Sequence, residues 1–416
     1  MILTRVFRAT QPKSLLDECN MESGRIYTRT MVEHWRIYRN KGVWLSAGMD
    51  EKYNDFLYPT TLHAHSRDAA QQAFAKAVKT THALRKAGFP EAQFPHKTKY
   101  WKTTIWKNTG IRVRDGVALL ARARGLEPIC VQLPLDLQRL TFIHGTAALV
   151  EARLVYNYKT SCYEWHFVTD DGIEPIMRTE GASVAVDMGE IHPAVITDGN
   201  TALVISAREL RSTGQGLAKS ISILDARKAK MKRGSVRYKR MSKAKAKACR
   251  VANSRQRDIL HKVSRAVVDY AVEANAKEII IGDVRDIADG INIGKHSNQK
   301  ISLWPHGKLR QYIAYKALML GMETLLEDEH HTTQTCPNCG SRKKPSGRIY
   351  SCGQCGFVGH RDVVGASNIL SRRLFGELGR VQVASEMYRH PYKVWSCVAA
   401  SDTAQVARLG EKPPSF

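Results

Sequence analysis

Four cysteines crowd into twenty residues of this chain: Cys336-Pro-Asn-Cys339 and, twelve residues later, Cys352-Gly-Gln-Cys355. In each CxxC turn two thiolates can face one ion. Two such turns complete the tetrahedron of a structural Zn²⁺ site with no open position. Gly340 and Gly356 follow the two pairs and free the chain to turn. The insert SRKKPSGRIY is basic enough to lie against phosphates. His330, His331 and His360 flank a set that is already complete. The other cysteines, Cys19, Cys130, Cys162, Cys249 and Cys397, are scattered. Nine thiols so distributed predict a metal cluster and not a disulfide framework.

The carboxylates are more dispersed. Asp187 lies in SVAVDMG, an apolar strand pattern. Burying a carboxylate there is costly unless it meets a cation or hydrogen-bond partners. Gly189 leaves room for close approach. Asp362 opens the helix pattern HRDVVGASN, either as a plain N-cap or as a ligand. METLLEDEHH reads as a strand beside the apolar strand IIIGDV, and it ends in Glu327, Asp328 and Glu329.

Basic residues fall in two places. From Arg227 onward come Lys232, Arg233, Arg237, Lys239, Arg240, Lys243, Lys247 and Arg250, with Asp225 the one nearby acid. Such a run repels itself without a polyanion and predicts a phosphate-tracking surface. Upstream, Lys97, Lys99 and Lys102 interleave with Tyr100, Trp101 and Trp106, a mixture suited to stacking on bases. Core packing is the equal alternative for Trp106. Trp304 and His306, before a helix, read as packing residues.

The whole composition agrees. Lys and Arg number 64 against 39 Asp and Glu, a formal charge of +25, in a chain of 416 residues that is 43% hydrophobic. That length accommodates two to four domains with full cores. The charge selects a polyanionic partner and argues against an enzyme of small neutral metabolites. No apolar run is long enough for a membrane span, and the first residues lack a signal-peptide core. The expectation is an intracellular protein.

Elements must position these groups. Residues 1–30 and about 125–180 carry strand texture, with a helical pattern such as RDAAQQAFAKAVKTTHALRKAGF between them. From about residue 183, SVAVDMG, AVITDG and ALVISARE predict a three-stranded meander. A long basic helix over 205–275, the covered strand KEIIIGDV and a helix near 303–320 follow. The tail beyond about residue 380 lacks periodicity and is expected to be flexible.

V-D-M-G, the strand ending in G-D-V, the cysteine ribbon and HRDVVGASNI occur in that order. This order resembles the split RuvC-like nuclease domain of the TnpB family, the transposon-encoded, RNA-guided endonucleases regarded as ancestral to type V CRISPR effectors. TTQTCPNCG resembles the family's threonine-rich entry to the ribbon, and RQRDILHKVSRAVVDYA its helix between the first two nuclease segments. The resemblance covers about residues 183–375. Upstream it rests on architecture alone.

The resemblance implies an α+β, multidomain, bilobed chain. A wedge β-barrel in two parts (1–30 and 123–180) would carry a helical recognition lobe (31–122). An RNase H-like RuvC nuclease (181–330 and 359–380) would enclose a zinc ribbon (331–358), and a flexible tail (381–416) would follow. In the recognition lobe, Tyr53, Asn54, His63 and Arg67 lie where a short target-adjacent motif would be read. The family's catalysis implies two Mg²⁺ ions held by three acids. The first and third map onto Asp187 and Asp362. The second is usually a Glu where this chain has Gly282, and neighbouring Asp283 turns to the opposite face. Glu329 is the candidate replacement, because some relatives and the eukaryotic Fanzor branch displace this Glu. Glu327, one pleat earlier, is the alternative, and a solvated acidic loop in an inactive nuclease is the other. Glu190 is read as facing solvent.

The expected cofactors are therefore two catalytic Mg²⁺, one structural Zn²⁺ and a guide RNA. The expected partners are a transposon-end-derived guide RNA and double-stranded target DNA, in a monomeric ribonucleoprotein. The expected location is cytoplasmic, at the nucleoid when DNA is bound. A nuclease-dead RNA-guided repressor and a compact type V CRISPR effector are the alternative functions.

Overall fold

The computed structural model describes residues 2–57, 59–96, 101–158, 160–172, 174–285, 294–390 and 396–399. The chain divides into two compact units, Met1–Glu174 and Pro175–Phe416.

The first unit combines helices with two small sheets. Its elements are β1 (Ile2–Arg8), α1 (Lys13–Lys41), α2 (Ala47–Leu57), α3 (Ala64–Lys86), β2 (Thr104–Lys107), β3 (Ile111–Arg114), β4 (Val117–Leu120), β5 (Ile129–Gln132), α4 (Leu135–His144), β6 (Leu149–Asn157) and β7 (Cys162–Asp170). One sheet has the order β1-β7-β6-β2 and the other β3-β4-β5. Inward side chains of both sheets, among them Trp106, Leu120, Ile129, Leu154, Trp165 and Phe167, form one core that also takes Leu16 and Ile26 of α1.

Two expectations fail here. Strand texture ends at Arg8, and α1 starts at Lys13, well before residue 31. Polar residues on its buried face hide the helical period: Asn20, Ser23, Thr30 and His34 are all buried. Tertiary partners reach three of them, and Thr30 Oγ1 donates to Ile26 O within the helix at 2.9 Å. Asn20 Nδ2 donates to Leu154 O at 3.2 Å, Ser23 Oγ meets Thr104 Oγ1 at 2.8 Å, and His34 Nδ1 meets Asp50 Oδ2 at 2.9 Å. Strands β2 to β4 also fall inside the stretch expected to be helical, because their alternation lasts only four residues each.

The second unit is built on a seven-stranded sheet of order β12-β11-β8-β9-β10-β15-β16. Its strands and helices are β8 (Ala182–Asp187), β9 (Ala194–Thr197), β10 (Thr201–Ile205), α5 (Arg208–Ala229), α6 (Val236–Glu273), β11 (Ala276–Gly282), α7 (Lys295–Leu303), α8 (His306–Leu318), β12 (Glu323–Glu327), β13 (Ile349–Ser351), β14 (Val358–His360), α9 (Arg361–Phe375), β15 (Ser385–Arg389) and β16 (Ser396–Ala399). The meander β8–β9–β10 is antiparallel, and β11 and β12 add parallel to β8. Period-two alternation sends the strands to two cores. Val184, Val186, Ile279 and Ile281 pack with α6 and α8 residues such as Val263, Val267 and Ile313. Ala185 and Ile280 pack with Ile369 and Leu370 of α9 on the other face. Both faces are covered, so these strands read as continuous apolar runs.

Two further differences from sequence appear. The basic helix over 205–275 is two helices, broken at Gly234 (φ 85°), with Ser235 capping α6 by accepting from Tyr238 N at 3.2 Å. The tail beyond residue 380 is not all flexible: β15 pairs in parallel with β10 and antiparallel with β16. A five-residue strand held between two partners draws its order from them and leaves almost no period of its own.

Ile280 is fully buried between β8 and α9. Ile280→Ala should therefore cost about 2–5 kcal/mol of the second unit's stability, read from the guanidinium unfolding midpoint.

Candidate active site

Strand register sets the positions first. Asp187 ends β8 on the face of Ala185, and Gly282 ends the neighbouring β11 on the face of Ile280, so both open toward α9 at the carboxyl ends of the strands. Asp362 stands in the first turn of α9. It is not that helix's N-cap: His360 is, accepting from Asp362 N through Nδ1 at 3.2 Å.

Glu329 completes the group. Gly282 pairs with Glu327 in the parallel ladder, and Asp283 N donates to Glu327 O at 2.8 Å. Two residues on, Glu329 folds across Gly282. A Cβ built on Gly282 would overlap Glu329 Oε1 and lie 2.5 Å from its Cδ and 2.6 Å from its Cγ. The carboxylate thus fills the space into which a side chain at position 282 would project. Glu329 Oε1 is buried and has no hydrogen-bond partner. Gly365 makes the matching room on α9, where a Cβ would overlap Asp187 Oδ2.

The electrostatics follow from this crowding. Burial first, then the charges of Glu329 and Asp362, raise the Asp187 carboxyl well above the usual carboxylate range, while Arg361 pulls it back. Burial, with Asp283 and Asp328 adding to it, pushes Glu329 up to about 7. Packed like charges of this kind form a hard-oxygen donor set, and an unbonded buried oxygen among them suits a divalent cation. Asp187 and Glu329 therefore suit such an ion, with Asp362 near enough for its charge to raise Asp187. Arg361 and Arg348 approach Asp362 at 3.4 and 4.0 Å.

The other acids lie elsewhere. Asp283 is held by Arg285 through Nε at 2.9 Å and Nη2 at 2.6 Å. Glu190 pairs with Arg211 at 3.2 Å. Glu327 lines, with Asp283, Arg285 and Glu329, an open cleft of about 520 Å³.

Several positioning residues escaped the sequence reading. Asn368 Nδ2 donates to Thr332 O at 2.7 Å and to Thr335 O at 2.8 Å, and its Oδ1 accepts from Gly379 N at 2.8 Å. Thr332 Oγ1 donates to Glu329 O at 2.9 Å. Arg372 holds Asp328 Oδ2 at 2.7 Å and His330 O at 2.8 Å. Helix α9 therefore clamps the loop that carries Glu329. The signal was present: Asp362, Gly365, Asn368 and Arg372 recur at helical spacing. His192, from the β8–β9 loop, was also missed. Its ring centroid lies 5.1 Å from that of His360.

The four ribbon thiols lie within 4.8 Å of one another, with Cys336–Cys355 and Cys339–Cys352 at 3.6 Å. Sulfurs of a tetrahedral Zn²⁺ site with bonds of about 2.3 Å would be about 3.8 Å apart, so the set fits zinc. Gly340 (φ 71°) and Gly356 (φ 74°) take the left-handed turns that follow the two pairs.

The basic hairpin presents Arg227, Lys232, Arg233, Arg237, Lys239, Arg240, Lys243 and Lys247 exposed, with Arg250 half-buried. Lys245 closes on Asp225 at 2.6 Å. In the first unit Lys97 and Lys99 lie outside the described residues. Lys102 Nζ lies 3.5 Å over the Tyr27 ring, and it lines with Trp101, Tyr27 and Tyr156 a cavity of about 620 Å³. Trp106 is a core residue, 1% exposed. No described helix is long and apolar enough to cross a membrane.

Fold and site together define an RNase H-like, RuvC-type unit with a carboxylate centre and an inserted four-cysteine ribbon. The family model OrfB_IS605, described as "Probable transposase", matches residues 166–288, and the model "Cas12f1-like, TNB domain" matches residues 306–369. Two proteins of Methanocaldococcus jannaschii are similar. TnpB-like protein MJ0751 is 32% identical over 28% of this chain and 42% of its own. MJ0856.1, named as a transposase, is 33% identical over 16% of this chain and 69% of its own. InsQ of Escherichia coli K12, named as an RNA-guided DNA endonuclease, is 27% identical over 51% of this chain and 54% of its own. The chain spans less than half the length of the first curated relatives it matches. In fold it resembles the Cas12f1 protein of a Cas12f1–sgRNA–target DNA complex, with a TM-score of 0.56 at 14% identity over 86% of this chain and 82% of that one. The chain belongs to the TnpB family.

A carboxyl raised from 4.5 to about 7 in the fold favours the folded state fully below about pH 4.5 and loses that contribution as pH rises through 7. In Mg²⁺-free buffer the melting temperature should therefore fall more steeply between about pH 5 and 8 for the natural chain than for Glu329→Gln. Added Mg²⁺ should remove the difference.

Proposed function

We propose that this chain is an RNA-guided double-stranded DNA endonuclease of transposon origin, with Asp187, Glu329 and Asp362 as its catalytic acids. The observation that carries the reading is the filling of the Gly282 space by the Glu329 carboxylate, beside buried Asp187. It supports membership of the subgroup with a displaced Glu. The names of InsQ and of the Cas12f1 complex support the guide RNA and the DNA target.

Two Mg²⁺ ions, when bound, activate a water and stabilise the leaving oxygen of the phosphodiester. The protein's part is preorganisation. Gly365 and the β8 backbone hold Asp187. Asn368, Arg372 and Thr332 hold the Glu329 loop, and His360 starts the helix that presents Asp362. Arg361 and Arg348 lie within reach of a scissile phosphate drawn to the same carboxylates. Cys336, Cys339, Cys352 and Cys355 would hold one structural Zn²⁺ and so stiffen the ribbon through which Arg348 reaches Asp362. The ribbon (331–358) is read as contacting target nucleic acid. The first unit is read as wedge and recognition lobe, with Trp101 and Lys102 among its nucleic-acid contacts.

The test uses protein co-expressed with the DNA flanking its gene, given a plasmid library of randomised target flanks and Mg²⁺. Asp187→Ala and Glu329→Gln should each lower cleavage by on the order of 10³-fold, the loss seen when a charge-stabilising group is removed. Gly282→Glu combined with Glu329→Ala should recover activity over Glu329→Ala alone, since each position can supply the carboxylate to one space. Guide-dependent binding without cleavage by the natural chain would favour a repressor.

The exposed hairpin cations are read as tracking the phosphates of guide RNA or the guide–target duplex. Lys232→Ala/Arg233→Ala/Arg237→Ala should weaken binding similarly across sequences. Its slope of log affinity against log salt should be shallower by about 1 for each phosphate the variant leaves unneutralised.

A further inference from the structure

We propose that His192, His360 and Asp362 form a second metal site, selective for a divalent transition ion, which shares the Asp362 carboxylate with the proposed Asp187–Glu329 centre. The sharing rests on the nuclease reading above; the existence of the site does not.

One ring nitrogen of each histidine and a carboxylate oxygen of Asp362 lie within 4.8 Å of one another. All three residues are more than nine-tenths buried, at 7%, 9% and 8% exposure. His192 Nδ1 is buried with no hydrogen-bond partner. A buried ring nitrogen without a partner carries an uncompensated cost, which a metal bond would repay. The ligands come from two separate parts of the chain: His192 from the loop between β8 and β9, and His360 and Asp362 from the turn where β14 runs into α9. The first is fixed by Gly189 N, which donates to His192 O at 3.1 Å. The arrangement is a built pocket and not the chance neighbourhood of one helix.

Ligand chemistry sets the ion class. Two imidazoles and one carboxylate favour borderline ions such as Fe²⁺, Co²⁺ or Zn²⁺ and still accept the harder Mn²⁺, whereas Mg²⁺ prefers oxygen donors and keeps its waters. A carboxylate can bridge two ions. Asp362 lies with the histidine pair, and its charge also raises Asp187, so one carboxylate belongs to the surroundings of both centres. Arg361 and Arg348 oppose a cation here, but both side chains are more than one-third exposed, so solvent screens their charge. Binding also touches the fold. His360 Nδ1 accepts the Asp362 amide at 3.2 Å, and ligation through either ring nitrogen competes with that cap. Ion capture and the first turn of α9 are therefore linked.

The experiment loads the full chain, zinc retained in the ribbon, with one equivalent of Mn²⁺ and records pulsed electron paramagnetic resonance. Hard Mn²⁺ leaves the thiolate ribbon alone. The expected spectrum carries ¹⁴N coupling from imidazole. His192→Asn and His360→Asn should each reduce it and weaken Mn²⁺ binding by more than about tenfold, and the double variant should abolish it. Asn at 360 keeps a capping side chain, so helix α9 is preserved in that variant. Asp187→Asn should lose cleavage yet retain the nitrogen coupling. An all-oxygen Mn²⁺ spectrum from the natural chain overturns the site, as does nitrogen coupling that survives the double variant. Nitrogen-ligated Mn²⁺ in a chain that never cleaves DNA would leave the site standing and sink the nuclease reading alone. If His192→Asn lowers zinc content or melting temperature, the natural chain and His360→Asn still decide.

Discussion

Like charges held in a buried space govern this molecule. Burial, then the charges of Glu329 and Asp362, raise the cost of ionising Asp187 at the carboxyl edge of a sheet whose two faces are both covered. No strand or helix would adopt that arrangement for its own stability. It has to be imposed by packing strong enough to oppose the repulsion, and the surrounding apolar core supplies it: Val184, Val186, Ile279, Ile280 and Ile281 are all buried. The two glycines at the centre then become intelligible. Gly365 exists as space for Asp187, and Gly282 as space for Glu329.

Helix α9 connects the parts. Its first turn carries Asp362, its second makes room for Asp187, and its third and fourth grip the loop bearing Glu329 through Asn368 and Arg372. The ribbon runs directly into it, because β14 ends at the residue that caps it. Cys336, Tyr350, Cys352 and Val364 form one small cluster. The ribbon, the start of the helix and Asp362 are thereby joined through covalent continuity and packing.

The basic hairpin answers to a different physics. Its cations are mostly exposed, and they gain little from the fold they sit on. The fold can carry them because α5 and α6 bury only one flank, through residues such as Leu210, Ile259 and Val263. Their density is a property of the exposed surface and not of the core. It survives in the sequence as a bare charge count.

Sequence by itself determined what depends on short, local patterns. Two CxxC turns with their glycines name the zinc ribbon, apolar runs ending in Asp187 and Gly282 name the strands, and the order of these segments names the family. The conflict at Gly282 was legible too, since one missing carboxylate among otherwise matching motifs stands out. Long-range pairing decided the rest. The parallel register of β11 with β12 sets Gly282 opposite Glu327, and only the backbone path beyond that pair swings Glu329 into the vacant volume. Helix α1 was hidden because its buried face is polar and is satisfied by partners such as Leu154 and Thr104, more than eighty residues away. Strand β15 was hidden because a five-residue strand takes its order from its neighbours β10 and β16. His192 joined no motif at all: nothing local marks a histidine whose meaning lies in a neighbour 168 positions further on. Spacing along the chain reports chemistry held within a turn or a helix. Chemistry assembled across a sheet edge exists only once the strands have paired.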